Sequence, residues 1–210
     1  TINKVDYIFK KLDENGNKGG NSIILKLYAN ANIQSQQDYS DLDDIKPDRI
    51  LKILKFDYKT YKKIPNYKKT HKRFLNEIQA LSLCKVPLTL NVIEIFENGS
   101  CYIAGNQYLY YTMEFADDDL KSHIEKNHSN LDFSIKLRYC TEILDGINEI
   151  SRKKLYHRDI KPDNILFVNG NWKIADLGLV DGRQLDYEIL DYNIVGPRGW
   201  LSPEAMNKYL

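Results

Sequence analysis

Cysteine is scarce in this chain, with three in 210 residues, at positions 84, 101 and 140. Scattered, odd in number and without a CxxC spacing, they exclude a disulfide framework and the usual zinc and redox motifs. Long hydrophobic runs are absent as well. None approaches the ~18 residues that a membrane span needs, and the opening TINKVDYIFKKLDENG lacks the apolar stretch of a signal peptide. Nor is there an excess of one charge. Thirty Lys and Arg nearly balance twenty-nine Asp and Glu, for a formal charge of +1, which removes any broad pull toward nucleic acid or a membrane surface. These absences lead us to expect a cytoplasmic chain with reduced thiols, no nucleic-acid partner and no membrane segment. What is present is a hydrophobic content of 42% and fifteen Tyr, enough for a packed core and too much for a disordered chain. The length suits one two-lobed unit.

Residue patterning divides the chain near position 115. NSIILKLYA (21 to 29) and DRILKILKF (48 to 56) read as strands, joined by the polar connection 30 to 47. In 67 to 85, Phe74, Ile78 and Leu81 recur at helical spacing among charged residues, which predicts a one-faced helix. LNVIEIFENG (90 to 99) and QYLYYTMEF (107 to 115) return to strand patterning, broken by Gly99 and Gly105. Beyond ADDDLKSHIEKNHSN, residues 131 to 154 carry Ile135, Tyr139, Ile143, Ile147 and Ile150 on one helical stripe, with Asp132 as N-cap. Two short apolar segments, ILFV and WKIAD, then flank the turn NGN.

Chemistry concentrates in LYHRDIKPDNILFVNGNWKIADLGLV, residues 155 to 180. Asp159, Lys161 and Asn164 lie in its polar loop, and Asp176 follows the second short strand. A loop succeeded by a hairpin can bring these groups to one mouth. Two carboxylates and an amide oxygen beside a lysine suit Mg²⁺ and a phosphorylated ligand, because magnesium takes one or two carboxylates and fills its remaining positions with water and phosphate oxygens.

HRDIKPDN followed by DLG resembles the catalytic loop and metal-binding motif of eukaryotic-like protein kinases, whose pattern is HRDxxxxN and DFG. That resemblance implies an α+β, two-lobed kinase-like fold: an N-lobe over 1 to 115 with an antiparallel sheet and a helix, and a mainly helical, C-terminally truncated C-lobe over 116 to 210. It implies that Asp159 orients the attacking hydroxyl, that Lys161 steadies the transferring phosphoryl group, and that Asn164 and Asp176 hold the metal. Lys52 in RILKIL resembles the strand lysine of the family and Glu77 in RFLNEIQAL its helix partner; Lys55 is the rival lysine.

The implied cofactors are ATP and Mg²⁺, with a protein substrate as partner. For the nucleotide, NKGGNSII resembles an eroded glycine-rich loop, with Asn17 and Ser22 at glycine positions, Gly19 and Gly20 between them, and Ile24 after them. Asn tolerates positive φ better than most residues, so a backbone approach to phosphates is retained. In YTMEFADDDL the resemblance makes Met113 the gatekeeper and gives adenine the Glu114 carbonyl and the Ala116 N–H. Ile50 stands over the ring where the family commonly has Ala, and Leu166 completes the slot.

The activation segment departs from the pattern. Between Leu177 and Leu201 there is no Ser or Thr, but Asp186, Tyr187, Glu188, Asp191 and Tyr192 cluster there. The expectation is that one of the three carboxylates pairs with Arg158 and replaces a phosphate. Lys161 follows the serine/threonine pattern, whereas Pro197 and Trp200 follow the tyrosine-kinase one. The resemblance ends shortly after SPEA, and Glu204 is expected to lack the Arg partner that is customary in the family. An apolar underside, covered by a dimer or partner, is expected. The implied activity is transfer of the γ-phosphoryl group of ATP to Ser or Thr hydroxyls of a protein. The alternatives are a nucleotide-binding pseudokinase or scaffold, a fragment inactive without further helices, and a small-molecule phosphotransferase.

Overall fold

In the computed structural model, the described residues are 5–12, 21–29, 42, 45–63, 65–85, 90–127, 130–187, 196, 198–201, 203 and 206. The chain divides into two compact units, Thr1–Tyr67 with Ile95–Phe115, and Lys68–Glu94 with Ala116–Leu210. Most of the long helix that the sequence pattern assigns to the first half therefore groups with the second.

The first unit is an antiparallel sheet in the order β1-β2-β3-β5-β4. Its strands are β1 (Tyr7–Lys11), β2 (Ser22–Ala29), β3 (Arg49–Leu54), β4 (Ile95–Ile103) and β5 (Asn106–Met113), with a short helix α1 (Tyr58–Lys63) after β3. Neither β1 nor α1 was expected. The α1 start is fixed by Asp57, whose carboxylate accepts from the N–H groups of Lys59 and Thr60 at 2.8 and 3.0 Å, which places it as an N-cap. The β4–β5 hairpin turns at Ala104 and Gly105, both at positive φ (49° and 76°), as a two-residue turn that follows the strand twist requires. β4 begins at Ile95 rather than at 90, because the preceding residues pair elsewhere. Arg49 Nη1 reaches both Glu97 oxygens, at 2.7 and 2.8 Å. Burial works against the guanidinium's charge, but the Glu97 hydrogen bond and charge outweigh it and raise its pKa.

The second unit contains the helix α2 (Pro65–Cys84), α3 (Leu120–Asn127), α4 (Phe133–Arg152) and the three-stranded sheet β6 (Asp118–Asp119), β7 (Ile165–Val168) and β8 (Asn171–Ile174). Its α2 belongs there from residue 68 onward. Phe74, Ile78 and Leu81 are buried, as their spacing predicts. Asp132 caps α4 by accepting from Ile135 N–H at 2.8 Å. The predicted stripe on α4 is only partly inward: Ile150 is buried, whereas Ile147 is 37% exposed. Trp172, fully buried, anchors a cluster with Leu120 and Ile165, against which Tyr139, Ile143 and Phe167 pack.

β7 and β8 turn at Asn169 and Gly170, both at positive φ, so the sequence NGN does what its Asn-Gly pair promises. The segment 91–93 lies along β8. Ile174 N–H donates to the Asn91 carbonyl at 2.8 Å and Ile93 N–H to that of Ile174 at 2.9 Å, while Asn91 Nδ2 donates to the Trp172 carbonyl at 3.0 Å. Gly146 lets α4 lie close to this segment, since a Cβ there would stand 2.4 Å from the Asn91 carbonyl oxygen.

Candidate active site

The polar loop between α4 and β7 is built by hydrogen bonds that begin at a histidine. His157, 6% exposed, accepts the Asp159 N–H on Nδ1 at 3.2 Å. Its proton therefore sits on Nε2, which donates to the Ala175 carbonyl at 3.0 Å. Burial holds the imidazole below its ordinary pKa, although the Ala175 carbonyl and the carboxylates of Asp176 and Asp159 oppose that. One neutral ring thus ties the loop start to the residue just before Asp176.

Asn164 supplies the second tie. Its Nδ2 donates to the Asp159 carbonyl at 2.9 Å and to Asp159 Oδ2 at 2.8 Å. Its carbonyl accepts the Ala175 N–H at 2.9 Å, and its own N–H closes a tight turn onto the Lys161 carbonyl at 2.9 Å. Pro162 follows Lys161 and presets the 3-10 turn over Pro162–Asn164. Lys161 Nζ lies 3.0 Å from Asp159 Oδ2. Asp159, Lys161 and Asn164 are therefore one hydrogen-bonded group, with Asp159 and Asn164 each 7% exposed.

Asp176 stands next to Ala175 and is exposed. Its φ of 58°, like the 63° of Arg158, is in the left-handed region. Each costs a non-glycine residue on the order of 1–3 kcal/mol and persists only where neighbours hold it. The ties at Ala175 and His157 supply that constraint. Glu77 is 2% exposed. A Cβ built on Gly178 would stand 3.2 Å from Asp176 Oδ1 and 3.9 Å from Glu77 Oε2, so the residue after Leu177 is flanked by both carboxylates and has little room for a side chain.

Arg158 is held by residues 179 to 181. Its Nε donates to the Leu179 carbonyl at 2.7 Å, and its Nη1 pairs with Asp181 at 3.3 Å. Asp186, the one described residue of the three carboxylates expected there, is not among its partners. Asp186 instead offers its N–H to Gln79, and Glu188, Asp191 and Tyr192 lie outside the described residues. The physical reason is a main-chain bridge. Tyr156 and Asp181 exchange hydrogen bonds of 2.8 and 2.9 Å, which puts Asp181 within reach of the guanidinium two residues after Tyr156. Asp181 was missed because it stands alone, whereas charge density drew attention to residues 186 to 191.

The remaining residues belong to the first unit, apart from Ala116 and Leu166 of the second. Lys52 is half-buried on β3, opposite Ile24 on β2 and Tyr111 on β5, with Nζ 5.6 Å from the Tyr111 ring centre. Ile50, 4% exposed, pairs with Met113. Directly opposite residues share a face, so Ile24, Ile50, Lys52 and Met113 occupy one face of the sheet. Lys55, the rival lysine, is exposed beyond the end of β3. Ser22 opens β2, half-buried. Glu114 and Ala116 are half-buried beyond β5, and Leu166 lies on β7 opposite Asp119 and Lys173. Asn17, Gly19 and Gly20 fall outside the described residues.

Among the described residues no group of three or more His, Cys, Asp or Glu could hold a metal ion. An Mg²⁺ that relies on phosphate and water needs fewer ligands from the chain. The donor set fits it: Asp176 is an exposed carboxylate, and Asn164 commits its nitrogen to Asp159, so that its amide oxygen is the atom that could face a cation. The three cysteines are free, and burial pushes the Cys84 thiol up to about 11, away from nucleophilic use.

Comparison with known proteins agrees with this geometry. The sequence matches the protein kinase domain family over residues 52–209. It is 30% identical over 151 residues, 68% of this chain, to a probable LRR receptor-like serine/threonine-protein kinase of Arabidopsis thaliana. It is 36% identical over 104 residues, 47% of the chain, to a serine/threonine-protein kinase of Schizosaccharomyces pombe. A probable serine/threonine-protein kinase of Dictyostelium discoideum is 29% identical over 138 residues, 63% of the chain. The matches span only 14%, 8% and 13% of those proteins' lengths. With an antiparallel sheet in one unit, helices around the HRDIKPDN loop in the other, and a family match over three-quarters of its length, the chain belongs to the protein kinase family.

Proposed function

We propose that this chain is the catalytic part of an ATP-dependent protein kinase that transfers the γ-phosphoryl group to Ser or Thr hydroxyls of a protein. The observation that carries this reading is the Asp159–Lys161–Asn164 group, bonded through Asn164 and His157 to the residue before Asp176. Asp159 accepts from both Lys161 and Asn164, which fixes its carboxylate for orienting an incoming hydroxyl and receiving its proton. Lys161, held by the same carboxylate, offers its ammonium to the transferring phosphoryl group, where charge stabilisation is the main source of rate. It also marks the serine/threonine preference. Asn164 and Asp176 are the residues to hold Mg²⁺, which when bound neutralises phosphate oxygens.

In the first unit, Lys52 is the residue for the nucleotide phosphates. There Ile24, Ile50 and Met113 are apolar contacts for adenine and the main chain of Glu114 a hydrogen-bond partner; of the second unit, the family pattern assigns Leu166 and the Ala116 N–H to adenine. Asn17, Gly19, Gly20 and Ser22 complete the nucleotide set. No described helix is long and apolar enough to cross a membrane. The free cysteines suit a reducing, cytoplasmic setting.

Two measurements test this reading. Calorimetric titration with ATP is expected to show Mg²⁺-dependent binding that Asp176→Ala removes. Phosphoamino-acid analysis of a labelled protein substrate is expected to give phosphoserine or phosphothreonine. Label found only on tyrosine would contradict the acceptor assignment, and nucleotide binding indifferent to both Mg²⁺ and Asp176 would contradict the metal assignment.

A further inference from the structure

Two amide side chains of α2 hold the segment that follows the Asp-Leu-Gly turn. Gln79 Nε2 donates to the Gln184 carbonyl at 3.2 Å, and Gln79 Oε1 accepts the Asp186 N–H at 2.9 Å. One carboxamide thus reads a carbonyl and an N–H two residues apart, as a neighbouring strand would. Asn76, three residues before Gln79 and so on the same helix face, donates from Nδ2 to the Tyr187 carbonyl at 2.7 Å. Its environment argues that this bond is why it is there. Asn76 is 2% exposed, and its Oδ1 has no partner among the described residues. A buried acceptor left unpaired is destabilising, so an apolar residue would fit the position better were the bond to Tyr187 not needed.

The same segment is held at its other side. Gln184 Nε2 donates to the Lys153 carbonyl, Leu185 N–H closes a turn onto Gly182 at 3.1 Å, and Arg158 grips Leu179 and Asp181. Every one of these partners is a carbonyl, an amide or a carboxylate. Glu77 lies between Asn76 and Gln79 in sequence, beside the Gly178 backbone, so whatever fixes 184–187 to α2 also fixes this carboxylate relative to Asp176.

We infer that Gln79 is a positioning residue: with Asn76 it locks residues 184–187 to the helix that carries Glu77, so that the segment is ordered for catalysis in the unphosphorylated chain. The catalytic consequence rests on the kinase reading above, whereas the lock itself does not.

Amide hydrogen exchange resolved to single residues, run beside steady-state kinetics, separates the two. In Gln79→Ala the Asp186 amide is expected to exchange about tenfold faster, the size of one lost net hydrogen bond. In Gln79→Glu it stays near the wild-type rate, because a carboxylate still accepts that N–H although it no longer donates to Gln184. kcat is expected to fall about tenfold in Gln79→Ala with KM for ATP unchanged, and to recover in part in Gln79→Glu. Phosphatase-treated wild type is expected to keep its activity. Unchanged Asp186 exchange in Gln79→Ala overturns the lock. Faster exchange with kcat unchanged or raised, or loss of wild-type activity on phosphatase treatment, overturns its catalytic role. A wild type that transfers no phosphate refutes the proposed function instead, and the exchange comparison still decides whether Gln79 holds the segment.

Discussion

At the scale of residues, the site depends on a histidine whose two ring nitrogens are both bonded to main chain. His157 is neutral because burial opposes its charge and because Nδ1 must remain an acceptor for Asp159. Its folded pKa is lowered, so in the interval below the unfolded value the unfolded chain binds more protons than the folded one, and stability must rise with pH. The contribution is fully present above about pH 6.5, the ordinary histidine value, and is lost as the pH falls below it. Urea titrations between pH 7.5 and 5 are expected to show the wild type losing more stability than His157→Gln, whose amide can donate and accept but does not titrate. Equal losses, or an NMR-determined His157 pKa at or above the ordinary value, would contradict this account. Much of the residue scale was legible beforehand. Asp159, Lys161 and Asn164 sit close in sequence, so a short loop had to bring them together. The Arg158–Asp181 pair was not legible, because it depends on a bridge across Tyr156 and Asp181 that joins residues 25 positions apart and leaves no local pattern.

At the scale of elements, the identities of the expected helices and strands followed the periodicity, and the surprises are the unexpected β1 and α1 and the ends of expected elements. The pattern of 90 to 99 reads as one strand, yet Val92 pairs with Ile174 while Ile95 pairs with Met113. Continuous apolar character shows that a segment is buried, not which partner buries it. The short α1 was hidden because Tyr and Lys alternate without a clear apolar face. Gly146 shows the converse, a residue that looks like a defect in α4 and is a packing requirement. Alanine there should gain about 1 kcal/mol of helix propensity, but its methyl carbon would stand 2.4 Å from a backbone oxygen that also accepts from Ile174. Overpacking of this kind costs about 1–3 kcal/mol, and here the obstacle is main chain rather than a flexible side chain. Gly146→Ala is therefore expected to lower the free energy of unfolding, measured by urea denaturation. An unchanged or raised value would mean that α4 shifts away from 91–93 at little cost.

At the scale of the whole molecule, the α4 surface carries a second apolar stripe. Phe133, Leu137, Leu144 and Ile147 are 80%, 56%, 63% and 37% exposed, and their spacing of four, seven and three residues keeps them on adjoining faces of one helix. Exposed apolar area of this extent favours association. Sedimentation velocity is expected to show concentration-dependent self-association of the 210-residue chain, reduced by Leu137→Lys with Leu144→Lys at unchanged circular dichroism. A wild type that stays monomeric at high concentration would remove the basis for a partner on this face. The kinase family itself was legible at this scale because its motifs are spread along the chain in a fixed order.

The central claim is that Asp159, held by Lys161 and Asn164, promotes phosphoryl transfer from ATP. Its most direct test is single-turnover transfer of γ-labelled phosphate to a Ser/Thr protein substrate, wild type against Asp159→Asn, with nucleotide affinity measured on the same preparations. The account predicts a fall in transfer of at least about 10²-fold, the size of a lost acid–base group, with affinity for Mg²⁺-ATP unchanged. Equal transfer by the two proteins, or no transfer by a wild type that binds Mg²⁺-ATP, would contradict it.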